Sequence, residues 1–311
     1  MEYSESVAVI TGGAGGIGLA LAHEAVRRGM KVVIADIRQD ALDTAIKELS
    51  DAGGEVIGIR TDVTKITDVA ALANAAVARF GKVNLLINNA GAFVAGLAWD
   101  TPPEQYDWVI NLNLKSVFHG ISTFVPRMIA QGDPCHVINI ASAAAVTVYP
   151  GYATYSATKH AVLGLSEALH LDLAAEGINN IGVTIAMPGL VRTAIMQPET
   201  ASPADLNLAR RSRFANATVR GVERMMTAGL DAAMPPAELA AMVFEAAAAG
   251  KLYVLPNHDG DGHQALIQAI AKGRASGVDP FSAVLESTLQ SMARADAAAD
   301  SAENINANKE G

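Results

Sequence analysis

Seven short apolar runs punctuate the chain, at 7–10, 31–35, 55–60, 83–87, 136–140, 181–186 and 252–255. Each has the length and composition of a strand. Between them the apolar residues fall at helical spacing, as in LALAHEAVRRG after the first run and ALDTAIKEL after the second. Strands that alternate with helices predict a parallel sheet with helices on both faces, an α/β doubly wound fold. A longer helix is predicted over 154–176, and FSAVLESTLQSMARA near the end repeats the helical pattern. We read residues 1–257 as one domain and 258–311 as a C-terminal helical extension with a frayed end. The extension either caps the pocket or docks on a neighbouring subunit.

Composition narrows the function. With 311 residues, half of them hydrophobic, the chain can bury a large core. A net charge of −9 argues against nucleic acid, whose phosphates would be repelled. The opening MEYSESV lacks the basic and apolar regions of a signal peptide, and no apolar run has membrane-spanning length. The single cysteine, Cys135, excludes an intramolecular disulfide and reads as a packed thiol. These features predict a cytoplasmic protein. The stretch HDGDGH (258–263) has metal-ligand residue types, yet glycines and aspartates after a strand make a turn, and no metal is expected.

The first strand runs directly into TGGAGGIG, and a helix follows. That order turns free backbone N–H groups and the positive end of the helix dipole towards a phosphate. Gly12 permits the tight turn, Gly16 the approach of a pyrophosphate, and Gly18 close packing of helix on strand. Asp36 closes the second strand, where a carboxylate grips ribose hydroxyls and repels a 2′-phosphate. NAD is therefore expected over NADP, although Arg38 stands close enough to favour a phosphate. Asp36 as a mere helix cap is the duller alternative.

Tyr155 and Lys159 lie four apart on the predicted 154–176 helix, so they share a face. An ammonium beside a phenol favours phenolate, lowering a pKa that is ordinarily about 10. Such a tyrosine can exchange a proton with an alcohol or ketone. Ser142, thirteen residues before Tyr155, ends the fifth strand and can hold the substrate oxygen.

Together these residues resemble the short-chain dehydrogenase/reductase family, in its single-domain branch, from about Val7 to Pro256. TGGAGGIG is similar to the family's TGxxxGxG. Asp62 and Val63 resemble the pair at the adenine ring, and Asn88–Gly91 the NNAG motif. Asn113 resembles the catalytic asparagine, Ser142, Tyr155 and Lys159 the catalytic serine and YxxxK pair, and Pro188–Thr193 the PGxVxT segment. The resemblance implies a Rossmann fold with a cofactor site formed by Gly12, Gly16, Ile17, Gly18, Asp36, Asp62, Val63, Asn89, Ala90, Gly91, Tyr155, Lys159, Pro188, Gly189, Val191 and Thr193. It implies that Asn113 orders a water that carries the proton out, that 195–230 covers the substrate, and that the protein is a homodimer or homotetramer.

TFVPRMIAQGDP and KLYVLPN also resemble bacterial Cα-dehydrogenases, which oxidise benzylic alcohols of lignin-derived aryl ethers. The expected substrate is a bulky apolar secondary alcohol, aryl and benzylic alcohols included. Its wall is expected from Phe93, Val94, Ala143, Val148, Tyr149, Leu190, Ile195, Met196, Met225 and Met226. Arg210, Arg211, Arg213, Arg220 and Arg224 read first as a solvated helix face and second as a carboxylate or phosphate site. Two other functions fit the same motifs: an NADPH-dependent ketoreductase of acyl or polyketide-type intermediates, and a nucleotide-binding regulator without chemistry.

Overall fold

Parallel strands buried on both faces form the centre of the computed structural model, which describes residues 3–197, 202, 206, 216–256, 262–282, 284–295 and 297. All seven expected strands form: β1 (Val7–Thr11), β2 (Lys31–Asp36), β3 (Val56–Arg60), β4 (Leu85–Asn88), β5 (Cys135–Ile140), β6 (Ile181–Ala186) and β7 (Tyr253–Val254). Their ends lie within two residues of the apolar runs. They make one sheet in the order β3-β2-β1-β4-β5-β6-β7, with every pairing parallel.

Helices α1 (Gly16–Arg27), α2 (Gln39–Asp51), α3 (Ile66–Phe80), α4 (Pro103–Ile110), α5 (Ser116–Gln131) and α6 (Ala153–Ala175) connect the strands. After β6 come α7 (Ala217–Gly229) and α8 (Pro236–Ala248), and after β7 come α9 (Gly262–Ser276) and α10 (284–295). Two cores result because alternate residues of a strand point to opposite faces. On one face Ile10, Val32, Ile34 and Leu85 pack with Leu21 of α1, Leu42 of α2 and Phe244 of α8. On the other, Val9, Val33 and Leu86 pack with Leu72 of α3, Phe124 of α5 and Val162 of α6.

The strand order reverses between β1 and β4, so the chain leaves their carboxyl ends in opposite directions and opens a crevice there. The TGGAGGIG turn leaves β1 and the NNAG segment leaves β4 at that point. Thr11 ties them together: its hydroxyl accepts from the N–H groups of Asn89 (3.0 Å) and Ala90 (3.1 Å).

Between α4 and α5 the helix widens into a π turn over Asn111–Lys115. No helix among the described residues is long and apolar enough to cross a membrane. Among them, too, no three histidine, cysteine or acidic side chains gather as metal ligands. The HDGDGH turn falls mostly outside the described residues, as do Arg210, Arg211, Arg213 and the chain end. Arg220 and Arg224 lie exposed on α7, in keeping with a solvated helix face.

Candidate active site

A single cavity of about 1180 Å³ runs along the carboxyl edge of the sheet. Its floor at the β1 end is the glycine turn. Gly16 begins α1 with φ +53°, a left-handed conformation that favours glycine, and a Cβ there would lie 3.2 Å from Thr193 Cγ2. Any side chain at Gly18 would run into the Gly12 carbonyl and Asn89 Nδ2, so this glycine lets α1 seat against the turn. A bare cradle at a helix N-terminus, bounded by an acid, fits a dinucleotide pyrophosphate and ribose.

That acid is Asp36. Its Oδ2 accepts from Ala14 N at 3.4 Å and its Oδ1 from Arg38 N at 3.1 Å. The Arg38 guanidinium stands 3.6 Å from Oδ1, pairing with the carboxylate. Further along, Thr64 N–H and O–H donate to Asp62 Oδ1. Burial pushes the Asp62 carboxyl up, but bonds from Thr64 and Lys65 outweigh it and hold it below the ordinary carboxylate range.

Ser142, Tyr155 and Lys159 meet near the middle of the cavity. Ser142 caps a short 3₁₀ turn just past β5, its Oγ accepting from Ala144 N at 3.1 Å. Ser142 and Tyr155 both line the cavity, the serine hydroxyl near enough to favour the Tyr155 phenolate, and Ser142 Oγ donates to the Pro188 carbonyl at 3.5 Å. Lys159 Nζ donates to the Ile140 carbonyl at 3.0 Å and lies 5.7 Å from the Tyr155 ring centroid.

The electrostatics correct the expected tuning of Tyr155. Burial raises its pKa above the ordinary value, and the Ser142 hydroxyl opposes this in part. Burial also lowers Lys159, to about 8. Burial penalises the charged form of each group, and this outweighs what Ser142 gives the phenolate. Tyr155 is thus held as a neutral phenol, and Lys159 sits near the midpoint of its titration at mildly alkaline pH.

Of the expected site residues, Gly12, Gly16, Ile17, Asp36, Asp62, Val63, Asn89, Ala90, Gly91, Ser142, Tyr155, Lys159, Pro188, Gly189, Val191 and Thr193 all line this cavity. Gly18 and Asn113 stand behind its wall. Asn113 is 0% exposed; its Oδ1 accepts from Ala92 N and its Nδ2 donates to Ala92 O, each at 2.9 Å. Nδ2 also donates to Thr158 Oγ1 at 3.3 Å. The amide's bonding is directed at protein, so it braces the NNAG segment against α6 and does not face the crevice.

Phe93, Ala143, Tyr149, Leu190, Ile195, Met225 and Met226 line the substrate end as expected. Three others do not. Val94 packs beside the Trp108 cluster, and Met196 packs against that of Phe93 and Tyr152. Val148 faces a separate groove with Ser156 and His160. In their place stand Trp108, Tyr152, Met234 and, from the C-terminal extension, Leu266, Val284, Ser287, Thr288 and Ser291. Tyr152 had a signal in its spacing, three residues before Tyr155, where it meets the Phe93 ring edge-on at 4.8 Å. The helical pattern of the extension left open whether it caps the pocket or docks on a neighbouring subunit, and it did not show which residues face inward.

A family model described as short chain dehydrogenase matches residues 6–204. The chain belongs to the short-chain dehydrogenase/reductase family. It is therefore an NAD(P)-dependent oxidoreductase, in keeping with its seven-stranded sheet and glycine turn. A C alpha-dehydrogenase of a Sphingobium species is 35% identical over 204 residues, 65% of this chain and 66% of the relative. A short-chain dehydrogenase/reductase from Burkholderia phymatum, solved with NAD, is 33% identical at a TM-score of 0.83 and covers 90% of this chain and 98% of its own. An actinorhodin polyketide ketoreductase solved with NADPH is 30% identical at a TM-score of 0.67, covering 82% of this chain and 97% of its own.

Proposed function

We propose that this dehydrogenase/reductase uses NAD to interconvert a bulky apolar secondary alcohol, aryl and benzylic alcohols included, with its ketone. One observation carries the reading: Ser142, Tyr155 and Lys159 line one cavity with a glycine cradle at one end and a largely apolar chamber at the other. Bound in the cradle, NAD would supply the acceptor for the hydride of the carbinol carbon.

The residues placed to hold the cofactor are the glycine turn for pyrophosphate, Asp36 for the ribose hydroxyls, Asp62 and Val63 for adenine, and Asn89–Gly91 and Pro188–Thr193 for the nicotinamide half. The chain's own chemistry is proton handling. Ser142 Oγ holds the alcohol oxygen, and Tyr155 takes the proton from that oxygen or returns it to a ketone. Lys159, fixed by the Ile140 carbonyl, presents its remaining N–H groups to the cavity, where they can hold a ribose. Because Tyr155 is kept protonated, the phenol is ready to act as an acid, and alkaline pH favours the oxidative direction. Asn113 acts at one remove by holding the Ala92 backbone.

The aryl preference is supported by the lining. Phe93, Tyr149 and Tyr152 form an aromatic wall beside Tyr155, with ring centroids 4.8–5.2 Å apart. Met225 and Met226 pack in the same cluster, Tyr152 donating to Met226 Sδ at 2.6 Å, and supply adaptable contact. The likeness to a C alpha-dehydrogenase points the same way. An NADPH-dependent ketoreductase is the second reading, favoured by Arg38, whose Nη2 would lie 3.6 Å from a Cβ on Gly15. Asp36 weighs against it, since its carboxylate shares that corner.

Tyr155→Phe tests the role directly. The variant should still bind NADH by fluorescence, weakened at most by the loss of one hydroxyl contact, and lose about 10²- to 10⁴-fold in turnover of an aryl secondary alcohol. Retention of most of the turnover would refute the assignment.

A further inference from the structure

Helix α7 stands apart from the layers that hold the other helices. Among the described residues, none of α7 joins either core of the sheet. Its buried valines, Val219 and Val222, pack instead in a third cluster with Phe93, Ala144, Tyr152 and Tyr155, and with Met292 of α10. On α10 itself Val284, Thr288 and Met292 are buried at i, i+4 and i+8, a single stripe of the helix. The end of the chain thus supplies part of the only apolar surface against which α7 is buried among the described residues.

The joint between the two helices is a knob in a notch. A Cβ on Gly221 would run into the Met292 methyl group, with Cγ at 3.5 Å and Sδ at 3.6 Å. The methionine therefore fills the space that any side chain at Gly221 would need. On the far side of α7, Val222 packs on Gly151, where a Cβ would lie 3.2 Å from Val222 Cγ2. One turn onward, four residues from Gly221 and Val222, stand Met225 and Met226, and both line the cavity. Tyr152 tethers Met226 through its sulfur, but a thioether is a weak acceptor, so packing carries more of the hold than this bond.

We propose that Met292 is a positioning residue: seated in the notch at Gly221, it presses α7 onto the start of α6 and so sets Met225 and Met226 over the chamber beyond Tyr155. This rests on reading that chamber as the substrate site. Met292 itself stands behind the wall, so its effect on a substrate passes through α7. A small substrate held at Ser142 and Tyr155 would not feel the change, whereas one that reaches the two methionines would.

The test reads the helix first and the substrate second. Arg220 and Arg224 lie exposed on α7, and trypsin cuts after them only as the helix opens. Lys47 on α2, its side chain 76% exposed, is the reference site. In the full-length protein with NADH present, Met292→Ala should speed cleavage after Arg220 and Arg224 by about tenfold or more and leave Lys47 unchanged. Met292→Leu, which refills the notch, should restore the wild-type rate. In turnover, Met292→Ala should raise KM for a two-ring aryl secondary alcohol about tenfold at unchanged kcat, and alter neither constant for a one-ring alcohol. Cleavage at the wild-type rate overturns the proposal, as does equal acceleration at Lys47 or a leucine variant that restores nothing. So does a KM that rises for both alcohols alike or for neither. A wild type that oxidises no alcohol would sink the dehydrogenase reading, and the cleavage pattern alone would then decide whether Met292 supports α7.

Discussion

Asp36 shows how one carboxylate can set a cofactor preference. It is anchored by Ala14 N and Arg38 N, and its partner Arg38 reaches the turn, Nη2 lying 3.6 Å from where a Cβ on Gly15 would stand. A 2′-phosphate entering this corner would meet the carboxylate as well as its more exposed partner, and the two charges oppose each other there. Replacing the carboxylate leaves the cation alone. Asp36→Ser should therefore lower the ratio of kcat/KM with NAD to kcat/KM with NADP by at least about tenfold, mainly through KM. Steady-state rates with the two cofactors measure it, and an unchanged ratio would show that Asp36 does not touch the ribose. Tyr155 teaches the converse point at the same scale. Sequence spacing places an amine beside a phenol, but only burial reveals that the dry pocket penalises both charged forms.

Among the elements, the π turn at Asn111–Lys115 carries Asn113 behind the cavity wall. The side chain pairs with both the N–H and the C=O of Ala92, deep in the structure. Asn113→Leu would leave two buried backbone groups unpaired, which costs about 1–3 kcal/mol each. We expect a loss of roughly 2–4 kcal/mol in denaturant unfolding, together with weaker NADH binding, because the NNAG segment loses its brace. A variant of native stability whose turnover alone had fallen would point instead to direct participation in the chemistry. The sheet, the glycine turn and the Tyr155 helix were legible in the sequence because each rests on local period or spacing. Asn113 as a brace was not, for its partner Ala92 lies 21 residues away and only the tertiary fold joins them. The inward face of α10 was hidden for the same reason: its spacing announces a helix, while the side it buries depends on Gly221 and Met292 meeting. Val94 and Val148 were misplaced because apolar character near a catalytic residue says nothing about which way a side chain points.

For the molecule as a whole, the sheet interior couples stability to pH through His136. It stands on β5 opposite Gly182 of β6, whose missing side chain leaves room for the imidazole. Thr184 Oγ1 donates to the Lys251 carbonyl, so it accepts from His136 Nε2 at 2.8 Å, which fixes the neutral tautomer. Burial lowers the imidazole pKa from an ordinary 6.5 to about 4. Between those values the unfolded chain holds a proton that the folded one refuses, so stability rises with pH. The contribution is complete above about pH 6.5 and is lost progressively as pH falls towards 4; a shift of this size corresponds to roughly 3 kcal/mol. His136→Phe keeps a planar ring in the same space and removes the titration. Thermal unfolding followed from pH 7 to 4.5 should fall steeply for the wild type and more gently for the variant. Parallel curves would mean that the acid sensitivity resides elsewhere, in carboxylates such as Asp62 that the fold holds below their ordinary range and must protonate as it opens.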